Sequence, residues 1–341
     1  MRILVLNGGS SSLKCRLDEI SGDPPSAPPK PVWDAHFDLK AGAVEPALRS
    51  VPGPVNIVGH RIVYGGPYHQ TMRIDEQVRA AIAKGAEEAP AHNAFELEII
   101  DTVARVFGEV PQIAVFDSGF HSTLEPAAYV YPGPYEWLGE GIRRHGFHGI
   151  SYQYAARRAS EQLEKSSRLV ICHLGNGASV CAVRDGKSVE TSMGFTPLEG
   201  LMMGTRSGSI DPGILIYLIR HRGYTAEKLD HLLNRESGLL GVSGVSSDMR
   251  QILAAIEQGN ERAKLAFEIY AHRLVKAIGS MAAVLGGADA SVFTGGVGEN
   301  CTQLRDIIAS RLGFLMARIL VIHAEEEWEI ARECYSFRSR E

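Results

Sequence analysis

Residues able to grip an anion are concentrated in one early stretch, Asn7-Gly8-Gly9-Ser10-Ser11-Ser12-Leu13-Lys14. Asparagine and glycine tolerate positive φ, and glycine lets a ligand approach the backbone closely. Ser10, Ser12 and Lys14 alternate, so on a returning strand they share one face. Two hydroxyls, an amide and an ammonium beside a glycine turn suit a phosphate group; an ordinary hairpin is the competing reading. A second phosphate-friendly stretch is Gly295-Gly296-Val297-Gly298-Glu299-Asn300, where a strand through Val292 and Phe293 enters a glycine turn and then a helix. A lone turn of this kind is not specific. No GxxxxGK[ST] occurs, which argues against a P-loop NTPase, and this GGxG lies far from any opening βαβ unit, unlike a dinucleotide fingerprint.

The elements that must position these residues are short. Ile3 to Leu6 reads as a buried strand leading into the first turn. Strands are expected at residues 55–63, 112–116 and 169–173, and helices near 75–88, 95–107, 151–164, 213–221, 247–258 and 262–286. The proline-dense run from Gly22 to Pro31 reads as a surface loop. The plan of Leu4 to Ser12 returns at Ile171 to Ser179: apolar strand, Gly/Asn turn, serine, returning strand. Two such hairpins suggest a duplicated α/β domain with a cleft between the copies. A domain junction is expected near Ser118 to His121.

At 341 residues the chain has room for two domains. Its 45% hydrophobic and 22% charged residues are those of a soluble globular protein. A formal net charge of -5 offers no broad basic surface, against a dedicated nucleic-acid binder. The five cysteines are scattered without a CxxC pair, as expected of free thiols in a reducing compartment. The apolar run after Arg2 is too short for a signal peptide. The long apolar stretch from Leu265 to Gly287 is broken by Glu268, His272, Arg273 and Lys276, as in a buried helix rather than a membrane span. A cytoplasmic protein without membrane or nucleic-acid partners is expected.

Further segments sharpen the reading: Gly59-His-Arg-Ile-Val63 with Gly65-Gly66, Ala89-Pro-Ala-His-Asn93, Val115-Phe-Asp117, Arg144-His-Gly-Phe-His-Gly149 and His173-Leu-Gly-Asn-Gly177. They continue with Met203-Gly-Thr-Arg-Ser-Gly208, Ile210-Asp-Pro212, Ser247-Asp-Met-Arg250 and Phe293-Thr-Gly-Gly-Val-Gly-Glu-Asn300. In this order, and over nearly the whole chain, they resemble the acetate kinase family of acyl-carboxylate kinases, within the actin/hexokinase/Hsp70-like superfamily. The resemblance implies an α/β fold of duplicated actin-like ATPase (ribonuclease H-like) domains with an interdomain cleft. The N-terminal domain would take residues 1–118 plus about 327–341, and the nucleotide-binding domain residues 119–326. It also implies reversible transfer of the γ-phosphoryl group of ATP to a short-chain carboxylate such as acetate or propionate, giving an acyl phosphate and ADP, in a homodimer using Mg2+ or Mn2+. A carboxylate with a pKa near that of glutamate is already ionised at neutral pH, so its attack needs no general base. Positioning and positive charge at the equatorial oxygens should then carry catalysis.

By resemblance Arg61 holds the substrate carboxylate, and Val63, Ala91, Phe147 and Pro197 line the acyl pocket. His148 and Arg206 stabilise the transferring group. Asp117 is catalytic by the same resemblance, and its chemistry favours orienting an arginine or a metal-bound water over accepting a proton. Asn7 and Glu326 place the metal. Ser10, Ser12 and Lys14 reach the nucleotide phosphates, while His173, Leu174, Gly175, Asn176, Gly177, Asp248, Met249, Arg250, Gly296, Val297, Gly298, Glu299 and Asn300 frame ATP. His60, His92, His121 and His145 read as structural.

The chain departs from the family pattern in several places. Tyr64 and Tyr152 stand where histidine is usual, Ser209 where aspartate is, and the chain is several dozen residues shorter. Ala91 replaces a usual leucine, which should enlarge the acyl pocket and admit propionate or a larger acid at least as well as acetate. Two other classes of function compete: a catalytically weakened nucleotide-binding or sensory member of the fold, and a sugar or alcohol kinase with Asp117 as base.

Overall fold

The computed structural model describes residues 1–9, 12–38, 44–88, 90–163 and 168–340, with backbone only at 86–88 and 90–93. Two compact units emerge. The first comprises Met1–Ser122, His148–Tyr154 and Glu325–Glu341, and the second Thr123–Phe147 and Ala155–Ala324.

The first unit is built on a six-stranded sheet of β1 (Arg2–Gly8), β2 (Ser12–Glu19), β3 (Trp33–Asp38), β4 (Ile57–Ile62), β5 (Met72–Arg73) and β6 (Gln112–Phe116), in the order β3-β2-β1-β4-β6-β5. β1, β2 and β3 form an antiparallel meander; β4 joins β1 in parallel and β6 joins β4 in parallel. A central strand covered on both faces has no polar side to show, so Ile3 to Leu6 form an unbroken apolar run with at most 1% exposure. One side packs Leu4, Leu6, Leu17 and Val58 with Ile99 and Val103 of the Pro90–Phe107 helix. The Glu326–Arg338 helix also packs against β1 and β4, burying Trp328, Ile330, Ala331 and Cys334. Gly59 admits that helix: a Cβ there would lie 2.5 Å from Cys334 Sγ and 3.0 Å from Ile330 Cγ2. Arg16 fastens the helix start, pairing with Asp18 and with Glu325 at 3.3 Å while lying over the Trp328 ring.

The second unit carries β7 (Arg168–Leu174), β8 (Ala178–Arg184), β9 (Lys187–Thr191), β10 (Ala290–Thr294) and β11 (Arg318–Val321) in the order β11-β10-β7-β8-β9. Here too an antiparallel meander precedes two parallel strands. Strand for strand, β9-β8-β7-β10-β11 repeats β3-β2-β1-β4-β6, so the sequence echo between the two hairpins extends to whole sheets.

The expected elements recur with shifted ends. The helix expected to begin at Phe95 starts at Pro90, because proline fits a first helical turn that needs no amide donor. The glycine turn expected after β10 is already helical from Gly295 to Asn300. β3, a strand whose half-buried Trp33, Ala35 and Phe37 alternate with exposed polar residues, lies just beyond the proline-dense loop and was not expected. Among the described residues no helix is long and apolar enough to cross a membrane.

Candidate active site

In the first unit the parallel strands deliver their C-terminal ends to one place. Arg61 is on β4, Val63 follows that strand, and Asp117 follows β6, with its N–H continuing the ladder to Ile62 at 2.7 Å. Asp117 is 1% exposed, and its Oδ2 accepts from Arg61 Nη2 at 2.9 Å and from the backbone N–H of His148 at 3.0 Å. Its carbonyl accepts from the Gly149 N–H at 2.7 Å, and a Cβ on Gly149 would collide with that carbonyl. His148 is thereby held at φ +60°, a conformation few non-glycine residues adopt. Asp117 is bonded to the arginine and to the histidine backbone, as an orienting group would be.

Burial opposes charge on Arg61, yet nearby Asp117, Glu326 and Glu96 hold its pKa above the ordinary arginine value. Glu96 is the member of this cluster that sequence reasoning missed. It is 3% exposed, its Oε1 accepts from the Val63 N–H at 2.9 Å, and burial pushes its pKa up to about 8 against the opposing pull of that N–H and of Arg61. Three buried polar atoms in the cluster have no partner among the described residues: Arg61 Nε, Asp117 Oδ1 and Glu96 Oε2. Buried polar groups are ordinarily satisfied, so orphans gathered around one guanidinium make it a candidate place for a ligand.

Asn7, 6% exposed at the end of β1, donates from Nδ2 to Glu326 at 3.1 Å and to Glu327 at 2.8 Å. Lys14, paired with Asn7 across the hairpin, reaches Glu327 at 3.6 Å and leaves 54% of its side chain exposed. Ser12 closes the intervening turn, its carbonyl accepting from the Gly9 N–H at 2.8 Å. The carboxylates and the Asn7 amide oxygen are hard donors, a set that fits Mg2+ carrying its own waters and phosphate oxygens. No group of three histidine, cysteine or acidic residues able to cage an ion without such help occurs among the described residues. Ser10 and the Ala91 side chain lie outside the described residues.

In the second unit a cavity of about 760 Å3 gathers Gly175 and Asn176 from the β7–β8 turn, Asp248, Met249 and Arg250, and Gly296, Val297 and Asn300. Ser247, Leu253 and Cys301 complete its lining. The Gly175 N–H to Gly177 carbonyl bond of 2.9 Å tightens the turn. Asp248 caps the Met249–Glu257 helix through the Arg250 N–H at 2.8 Å, and the Arg250 guanidinium holds its carboxyl below the usual range. His173, Leu174, Gly177, Gly298 and Glu299 do not line the cavity. Glu299 instead accepts from the Gly295 and Ala324 N–H groups and meets His323 at 2.6 Å, which ties the Gly295–Asn300 helix to the chain after β11. Arg206 donates to the Pro197 carbonyl at 2.7 Å, and Phe147 is buried. The Ser209 hydroxyl accepts from the Gly200 N–H at 3.0 Å. Arg144 is structural: it donates to the Thr191 and Met193 carbonyls and to Glu199, each at 3.0 Å.

The family model that matches the chain, over residues 39–323, is described as the Acetokinase family. The acetate kinase of Cyanothece sp. (strain PCC 7425 / ATCC 29141) is 46% identical, with 98% of each chain covered, and that of Gloeobacter violaceus is 46% identical over all of both. The first alignment spans 399 positions for a chain of 341, so the shortening lies inside the chain. Among solved structures, an acetate kinase from Porphyromonas gingivalis is 34% identical with a TM-score of 0.87, covering 99% of both chains. A propionate kinase from Francisella tularensis has the same identity and TM-score, covering 97% of this chain and 98% of its own. The fold is the duplicated actin-like ATPase fold, and the chain belongs to the acetokinase family.

Proposed function

We propose that this carboxylate kinase moves the γ-phosphoryl group of ATP reversibly to a short-chain aliphatic carboxylate, with propionate used at least as well as acetate. The observation that carries the reading is the Arg61 cluster, whose orphaned Nε is a charged donor left for a carboxylate oxygen. Arg61 binds the acceptor, and Asp117 fixes both the guanidinium and the backbone that presents His148. His148 and Arg206 offer donors to the equatorial oxygens of the transferring group. The acceptor is ionised before it binds, so no residue has to remove a proton. Asn7, Glu326 and Glu327 would hold Mg2+, which supplies charge neutralisation on the phosphates. The cavity lined by Asp248, Arg250 and Val297 takes the nucleotide, and Lys14 and Ser12 serve its phosphate end.

The acyl preference rests on Ala91. Each additional buried CH2 is worth about 0.8 kcal/mol, close to fourfold in kcat/KM. Hydroxylamine trapping of the acyl phosphate with acetate, propionate and butyrate tests this, with glycerol and hexoses as alcohol controls. A strong acetate preference would remove the pocket argument. Phosphorylation of the alcohols alone would favour a sugar kinase, and ATP binding without trapped product a sensory protein.

A cytoplasmic homodimer completes the reading. No residue of the Pro212–Arg222 helix is fully buried, and Ile214, Ile216, Tyr217 and Ile219 are 47–50% exposed, an apolar face suited to a second copy of the chain. Sedimentation should give a dimer that Ile216→Glu weakens; a monomer at micromolar concentration would rule it out.

A further inference from the structure

We propose that Glu96 is a positioning residue for carboxylate binding, fastening the backbone two residues beyond Arg61 and setting the charge of the cluster that receives the substrate anion. The inference rests on Arg61 being the acceptor's partner. Glu96 is almost fully buried, yet it comes from a helix on which its neighbours Phe95 and Ile99 serve the apolar core. One oxygen holds the Val63 N–H, the donor that follows the last residue of β4; the other is buried without a partner among the described residues. Nothing in the phosphoryl-transfer machinery uses it.

The charged groups that act on it are Arg61 from β4 and Asp117 from the end of β6. His60, the other titratable residue of β4, is held neutral by burial, with a pKa of about 4. Arg79 and Asp101 pair with each other at the surface. Glu326 acts on Arg61 rather than on Glu96. While Glu96 is protonated, Arg61 is faced by the charges of Asp117 and Glu326 alone, and a bound carboxylate adds one more. Once Glu96 ionises, near pH 8, the same carboxylate must join a cluster that is one charge more negative. Carboxylate affinity should therefore fall as pH rises through that value, while nucleotide affinity does not follow.

The experiment is steady-state kinetics with acetate and ATP between pH 6.5 and 9.5 for the wild type, Glu96→Gln, Glu96→Ala and Arg61→Ala. In the wild type, KM for acetate should rise about tenfold across the alkaline limb, with KM for ATP flat. Glu96→Gln keeps an acceptor for the Val63 N–H but cannot ionise, so its acetate KM should stay level. Glu96→Ala loses the anchor and should raise acetate KM about tenfold at every pH, with kcat changed less. An alkaline rise surviving in Glu96→Gln, or no rise in the wild type, would overturn the proposal. Should Arg61→Ala leave acetate KM unchanged, the assignment of Arg61 itself fails, an outcome separate from a silent Glu96.

Discussion

Replacing Asp117 separates its two candidate roles, orienting group and proton acceptor. In the wild type, one buried oxygen takes a charge-assisted bond from Arg61 at 2.9 Å and a backbone bond from His148 at 3.0 Å. Asparagine has the same shape and can point its amide oxygen at both donors. What it loses is the charge, and the difference between a charged and a neutral hydrogen bond is about 1–1.5 kcal/mol. Asp117→Asn should therefore retain activity within roughly tenfold of wild type, since 1.4 kcal/mol is tenfold. Asp117→Ala strands both donors. The lost charged bond costs about 1.5–3 kcal/mol and the unsatisfied buried N–H another 1–3. The sum, near 4 kcal/mol, corresponds to kcat/KM for the carboxylate lower by about 10³-fold. Hydroxamate formation at saturating ATP, with the carboxylate titrated, measures both variants, and KM for ATP serves as the internal control. If Asp117→Asn fell as far as Asp117→Ala, the negative charge or its basicity would be the essential property, and the orienting role would be refuted.

Two further changes test the frame around the site. Gly59→Ala places a methyl group 2.5 Å from Cys334 Sγ and 3.0 Å from Ile330 Cγ2, so it should lower unfolding free energy by about 1–3 kcal/mol in urea titration; an unchanged midpoint would mean the terminal helix yields. Asp248→Ala removes both the cap on the Met249–Glu257 helix and the partner of Arg250 in the nucleotide cavity. It should cost about 1 kcal/mol of stability and raise KM for ATP severalfold with KM for the carboxylate unmoved, the reverse of the Asp117 pattern.

What could be read in advance follows the range of the interactions involved. The hairpins were legible because strand, turn and returning strand are contiguous: Asn7 faces Lys14, and His173 faces Ser179, across turns written in glycine and asparagine. Arg61 and Asp117 were legible only as motif members, since their pairing depends on β4 and β6 lying side by side. Glu96 was missed because a glutamate inside a helix normally points to water; its burial is set by where that helix meets Val63. Glu327 was passed over beside Glu326 in a run of three glutamates, and only the start of the last helix turns both toward Asn7. For β3 the alternation of Trp33, Ala35 and Phe37 was visible, but the prolines before it suggested a continuing loop.

The last helix also imposes an order on how the first unit is made. Asn7 and Glu326 are 319 residues apart, and the helix that buries Trp328 and Cys334 packs against β1 and β4, which are translated long before it. At about 5–20 residues per second, the ribosome needs roughly 16–64 s to travel between them. Throughout that interval the nascent β1–β4 surface, Gly59 included, lacks its cover, whereas every strand of the second sheet has emerged before the covering helix does. That face of the first sheet is thus completed only after all five strands of the second sheet have been translated, although β1 and β4 precede them in sequence.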